Sequence, residues 1–179
     1  MKSWLIIAVA LLGACVASGQ MDLTLLTSQK TYKAGEPVLL TWKLQNSSRQ
    51  PWIVFSHTAT PGGDHYDTLT LEIEGPGGKR RMVLMDQRTA SKQVACQLES
   101  GSSLENTLDL VRWTGSYSYP LTPGAYSISA RYEMTKDHGA SIRMAEVQSC
   151  AGGQPVRGAK ASAWTGSAAA PKISFSITP

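Results

Sequence analysis

Large apolar side chains recur at every second position in several stretches of the chain. From Val38 to Leu44, Val38, Leu40, Trp42 and Leu44 fall on one side, with Thr41 and Lys43 on the other. Leu69, Leu71 and Ile73 alternate with Thr70, Glu72 and Glu74, and Tyr126, Ile128, Ala130 and Tyr132 alternate with Ser127, Ser129 and Arg131. Near the C-terminus Ile173, Phe175 and Ile177 alternate with Lys172, Ser174 and Ser176. Successive strand side chains point to opposite faces, so each stretch predicts a strand with one buried and one wet face, as in antiparallel sheets. Shorter strands are expected at Leu23–Thr27, Trp52–Ser56, Arg81–Met85, Val94–Leu98 and Leu104–Val111.

Turn-forming clusters separate these segments, among them Lys33–Pro37, Asn46-Ser47-Ser48, Pro61–Asp64, Gly75–Gly78, Gly101–Ser103 and Thr122-Pro123-Gly124. No stretch keeps a helical period with caps. The expected fold is therefore all-β, an antiparallel sandwich or barrel in one domain. The segment 148–171, rich in Gly, Ala and Ser, predicts a long flexible loop before the last strand.

Two places add a family likeness. Thr31-Tyr32-Lys33-Ala34-Gly35-Glu36-Pro37-Val38, running on to Asn46-Ser47-Ser48 and Pro51-Trp52, resembles the opening of immunoglobulin-like domains in exported bacterial proteins. The bacterial intracellular proteinase-inhibitor family and macroglobulin-type domains open in a similar way. Leu121-Thr122-Pro123-Gly124-Ala125-Tyr126 resembles the tyrosine corner of immunoglobulin and fibronectin sandwiches. Trp164-Thr165-Gly166 and Phe175-Ser176-Ile177 are similar to the closing strand of such domains. The likeness implies an immunoglobulin-like β-sandwich and carries little about function, because its motifs encode corners of the fold. The long loop and the later cysteine pair fall outside the inhibitor pattern.

The N-terminus sets a compartment. A positive start at Lys2 is followed by an apolar run from Trp4 to Ala14 and then by small residues, the order of a secretory signal. A spanning helix needs about 20 apolar residues, and this run is shorter. Cleavage before Gln20 gives a leader of residues 1–19 and a single domain at 20–179. Alternatively, Leu12-Gly13-Ala14-Cys15 resembles a lipobox; the leader is then residues 1–14 and Cys15 carries a lipid. The first reading makes the protein secreted or periplasmic, and the second anchors it to the cell envelope. Beyond Cys15 the chain holds two cysteines, Cys96 and Cys150. In an exported chain such a pair predicts one disulfide, closing a loop of roughly 55 residues and contributing about 4 kcal/mol. Two free thiols are the alternative.

Composition narrows the function. The 179 residues are 42% hydrophobic and 17% charged, which excludes a disordered tail. The net charge of +4 is thinly spread, with one short run at Lys79-Arg80-Arg81, and argues against nucleic acid. That run fits a solvated hairpin shoulder that discourages edge pairing. His57, Asp64, His65 and Asp67 cluster in sequence without the spacing of a metal site, so neither metal nor cofactor is expected. His138 reads as part of a hairpin turn, and Asn46-Ser47-Ser48 as a turn rather than a glycan acceptor. No serine stands in a G-x-S-x-G elbow, and no catalytic residue is assigned. Trp113, Tyr117 and Tyr119 lie in a Gly/Ser-rich stretch where aromatics could anchor a protein or stack on a sugar, or instead fill a core corner around Pro120. The expectation is a non-catalytic binding or accessory module acting through loops or a strand edge on a protein or glycan ligand. A proteinase inhibitor with a projecting loop and a carbohydrate-binding module are the alternatives.

Overall fold

The computed structural model describes residues 20–60, 63–65, 68–83, 92–112, 119–138, 147–156 and 161–179. Among the described residues thirteen strands form three sheets: β1 (Met21–Thr27), β2 (Thr31–Lys33), β3 (Leu39–Asn46), β4 (Trp52–Thr60), β5 (Gly63–His65), β6 (Leu69–Gly75), β7 (Gly78–Val83), β8 (Lys92–Leu98), β9 (Ser103–Asp109), β10 (Gly124–Met134), β11 (Val147–Ser149), β12 (Ser162–Ala163) and β13 (Gly166–Thr178). Sheet 1 has the order β1-β3-β9 and sheet 2 the order β2-β13-β10-β6-β7. Sheet 3 has the order β11-β8-β4-β12, with β5 on β4. Sheets 1 and 2 make an immunoglobulin-like β-sandwich, in which the chain crosses between layers through β2, paired parallel to β13.

Alternation places the core where the sequence puts it. Val38, Leu40, Trp42 and Leu44 are fully buried, as are Leu69, Leu71, Ile73, Ile128 and Tyr132 to within about one per cent. The tyrosine corner is also present. Tyr126 donates its hydroxyl hydrogen to the Thr122 carbonyl at 2.7 Å and accepts from the Thr122 N–H at 2.8 Å. Its ring stacks on Phe175 with centroids 5.2 Å apart. Gly75 is required beneath it, because a Cβ there would meet the Tyr126 ring.

Sheet 3 continues sheet 1 around a corner. β3 leads into β4 and β8 leads into β9, so the β3–β9 and β4–β8 ladders form one bent ribbon. Asn46 pins the bend from a fully buried position. Its amide nitrogen donates to the carbonyls of Gln50 (2.8 Å) and Leu98 (3.1 Å). Its amide oxygen accepts from the Ser48 N–H (3.0 Å) and hydroxyl (2.6 Å). Both donors and both acceptor sites of the side chain are thereby used. The segment turns as expected, with Asn46 buried at its start and Ser47 exposed, and the nitrogen a glycan would need is engaged on both hydrogens.

Tyr132, on β10, closes the bend from the opposite layer. It stacks on Trp42 of sheet 1 (6.1 Å) and lies against Trp164 (6.0 Å), and its hydroxyl donates to the Phe55 carbonyl of sheet 3 (2.7 Å). The long connection before the last strand is present, but it runs over 135–165 rather than 148–171. Within it β11 pairs parallel to β8, β12 pairs parallel to β4, and Trp164 is buried. Residues 166–171 already belong to β13; their inner positions are Ala168 and Ala170, small enough to leave room for the rings of Trp164 and Tyr132. Cys96 and Cys150 are disulfide-bonded and tie the connection to β8. The expected strand at Arg81–Met85 starts earlier, at Gly78, because Pro76 and Gly77 make a tight turn that starts the return strand at once.

Replacing Asn46 by Ala strands two carbonyls and the Ser48 N–H at the bend and is expected to cost about 2–4 kcal/mol, measured by urea unfolding. Burial, the largest cause, pushes the Tyr132 phenol far above its usual value of 10.0. The folded state then keeps a proton that the unfolded state releases above about pH 10, so stability falls as pH rises beyond that point, by roughly 1 kcal/mol per pH unit for this group. Equilibrium unfolding between pH 8 and 11 should show this slope, and Tyr132→Phe should flatten it.

Candidate functional site

Two surfaces stand out once the layers are placed: an open edge on sheet 1 and a hollow on the outer face of sheet 2. The edge is β9, which ladders to β3 along its length and to no described strand on its other side. Leu104 and Leu108 point inward and are buried, while Glu105 and Thr107 are exposed. Between the two leucines, opposite Trp42, lies Asn106, whose amide nitrogen is buried without an acceptor. A buried, unpaired donor costs about 1–3 kcal/mol.

The other edges are shorter or guarded. β7 carries Lys79, Arg80 and Arg81, as expected of a protected shoulder. β2 and β12 are three and two residues long. β11 is held by the disulfide and by the bridge from Gln148 to Pro155. β1 packs against β13.

The hollow lies over an irregularity in sheet 2. Between the pairs Ile128–Ile173 and Ala130–Ala170, β10 contributes one residue, Ser129, and β13 contributes two, Pro171 and Lys172. This is a β-bulge, and it accommodates Pro171, which has no N–H to give to the ladder. The hollow has a volume of about 360 Å³. Ser129, Thr70 and Ala169 keep its floor low, and Glu72, Arg81, Arg131 and Glu133 form its rim. The register puts these side chains on one face, with Ser129 opposite Glu72, Glu72 opposite Arg81, and Arg131 opposite both Thr70 and Ala169.

The rim charges are unequally matched. Lys79 contacts Glu72 at 3.0 Å, and this bond, helped by the fields of Arg81 and Arg131, holds the Glu72 carboxyl below its usual range. Among the described residues, Arg81, Arg131 and Glu133 make no ion pair or hydrogen bond through their side chains. The hollow therefore has two guanidiniums and one carboxylate open to a ligand. The four rim residues come from three strands; Arg81 shows in the sequence as the end of the Lys79–Arg81 run, and Glu72, Arg131 and Glu133 only as the polar phase of their strands.

The aromatic candidates fare differently. Trp113 and Tyr117 lie outside the described residues. Tyr119 is not an exposed anchor: only 4% of it is accessible, and its hydroxyl donates to the Gly78 carbonyl at 2.6 Å. The flat backbone at Gly77 receives its ring, where a Cβ would approach to 2.9 Å, and the Arg80 guanidinium lies 5.9 Å from the ring centre. Tyr119 is thus a corner-packing residue, held by the β6–β7 turn.

His57 and His65 fall on the paired strands β4 and β5, and Asp67 lies outside the described residues. Among the described residues no three His, Cys, Asp or Glu side chains gather as a metal site. His138 lies in a helical turn, of which 136–138 are described, where a hairpin turn was expected. Its Nδ1 lies 2.9 Å from the Thr135 hydroxyl and accepts the Thr135 N–H at 2.9 Å. These contacts cap the start of the helical turn. Cys15 lies outside the described residues.

No family model matches the sequence, and no curated protein matches it. Among the solved structures similar to the chain are two at 8% identity each. One is Spo0M, a sporulation control protein of Bacillus subtilis, with a TM-score of 0.42 over 90% of this chain and 50% of that one. This chain thus spans half the length of Spo0M. The other is the CARDB domain of the PF1109 protein of Pyrococcus furiosus, solved in complex with di-metal ions, with a TM-score of 0.38 over 89% of this chain and 93% of that one.

Proposed function

We propose that the protein is an exported, non-catalytic immunoglobulin-like module that binds a partner protein by strand addition along β9. The observation that supports this reading is the edge itself, seven residues long and unladdered on its outer side among the described residues. Main-chain hydrogen bonds supply affinity in this mode, and side chains along the edge supply selectivity. Glu105 and Asp109 give the edge a negative character that suits a strand carrying Lys or Arg. The disulfide is compatible with an oxidising compartment, and the apolar leader with export.

Hydrogen–deuterium exchange of the mature protein, mixed with the concentrated exported fraction of its host, tests the reading. Amides of residues 103–109 are expected to slow first. Glu105→Lys, a charge reversal at an exposed edge position, should abolish that protection while the melting temperature stays within a few degrees. Protection confined to other segments would remove the proposal.

A further inference from the structure

We propose that the hollow over the β10/β13 bulge binds a compact carboxylate ligand bearing a hydroxyl or amine donor, with Arg81 and Arg131 holding the carboxylate. The site is separate from the β9 edge, on a different sheet, and neither proposal depends on the other.

Three features point to this ligand. The first is shape. The bulge takes Ser129, Pro171 and Lys172 out of the regular ladder, and the floor residues Ser129, Thr70 and Ala169 are too short to fill the space above them. A volume of about 360 Å³ lies at the lower end for small-molecule sites, suiting a single acidic sugar or a dipeptide more than a polymer chain.

The second is charge. Guanidinium groups present a planar fork that matches a carboxylate through two parallel hydrogen bonds. Arg81 and Arg131 flank the hollow from β7 and β10, and the neighbouring Glu72 does not occupy them because Lys79 holds it. The third is selectivity. Glu133 on the same rim is an unoccupied acceptor, so a ligand donor beside the carboxylate gains a partner. Glu72 and Glu133 together repel a dianion more strongly than a monoanion, which favours a carboxylate over inorganic phosphate.

The ligand chemistry has two sources, an acidic sugar and an N-acyl amino-acid unit. Titration of the isotopically labelled mature protein with the monoanions D-glucuronate and N-acetylserine, and with glucose and inorganic phosphate, followed by amide chemical shifts, separates them. At least one of the two carboxylates is expected to move the amides of Thr70, Ser129 and Ala169 saturably. Glucose should leave them still, and phosphate should bind at least fivefold more weakly than the better carboxylate. Saturation by glucuronate alone assigns a sugar acid, and saturation by N-acetylserine alone assigns an amino-acid unit. Arg131→Gln and Arg81→Gln, at exposed positions, should each weaken binding about tenfold with the melting temperature unchanged. Glu133→Gln should narrow the gap between carboxylate and phosphate. The proposal fails if neither carboxylate saturates, if phosphate binds as well as the better one, or if both arginine variants bind like the parent.

Discussion

Tyr132 holds the two layers of this protein to a common core. Its ring lies between Trp42, in the three-stranded sheet, and Trp164, in the connection that reaches across the third sheet. Its hydroxyl is bonded to the Phe55 carbonyl, so a single fully buried side chain touches all three parts of the interior. A bent layer otherwise leaves a gap on its concave side, and an unfilled interior forfeits dispersion contacts over the whole lining. The length of β10 follows from this arrangement: an 11-residue strand can cover the sandwich with its first half and reach the bend with its second.

The bend needs polar as well as apolar support. Where β3 passes into β4 and β8 into β9, ladder hydrogen bonds are interrupted and carbonyls are left inside the protein. Asn46 answers two of them with one amide, while Ser48, bonded to Asn46, also accepts the Trp52 indole N–H at 2.9 Å. A corner of this kind, packed under a tyrosine and closed by a disulfide to the crossing connection, explains how the fold carries more sheet than a plain sandwich. The same economy shapes the outer face of sheet 2. Ala168 and Ala170 of β13 face the core, and on the outer face Ala169, Ser129 and Thr70 leave the hollow unfilled.

How much of this was legible in the chain depends on contrast between neighbouring positions. β3, β6, β10 and the second half of β13 alternate large apolar with polar residues, and their inward faces could be assigned by eye. The first half of β13 could not, because Ala168, Ala169 and Ala170 look alike although the first and third are buried. β2, β5, β11 and β12 are two or three residues long, too short to show a period. The tyrosine corner was readable because its partner is four residues away; Tyr132 was readable only as an apolar position, because Trp42, Phe55 and Trp164 are distant in sequence. Asn46 looked like a turn residue since nothing local marks it as buried. For Tyr119 the sequence offered both an exposed anchor and a core corner around Pro120; the fold makes it a corner residue by bringing the Gly77 backbone beneath its ring. Neither the β9 edge nor the hollow has a local signature, since both depend on which strands become neighbours.

The central claim is that sheets 1 and 3 share one core through Tyr132 and open together. Native-state hydrogen exchange of amides in β3 and β9, compared with amides in β4 and β8 as denaturant is raised, tests it most directly. The account predicts that both sets converge on the same opening free energy. Exchange of β4 and β8 through a separate opening, several kcal/mol easier than that of β3 and β9, would contradict it.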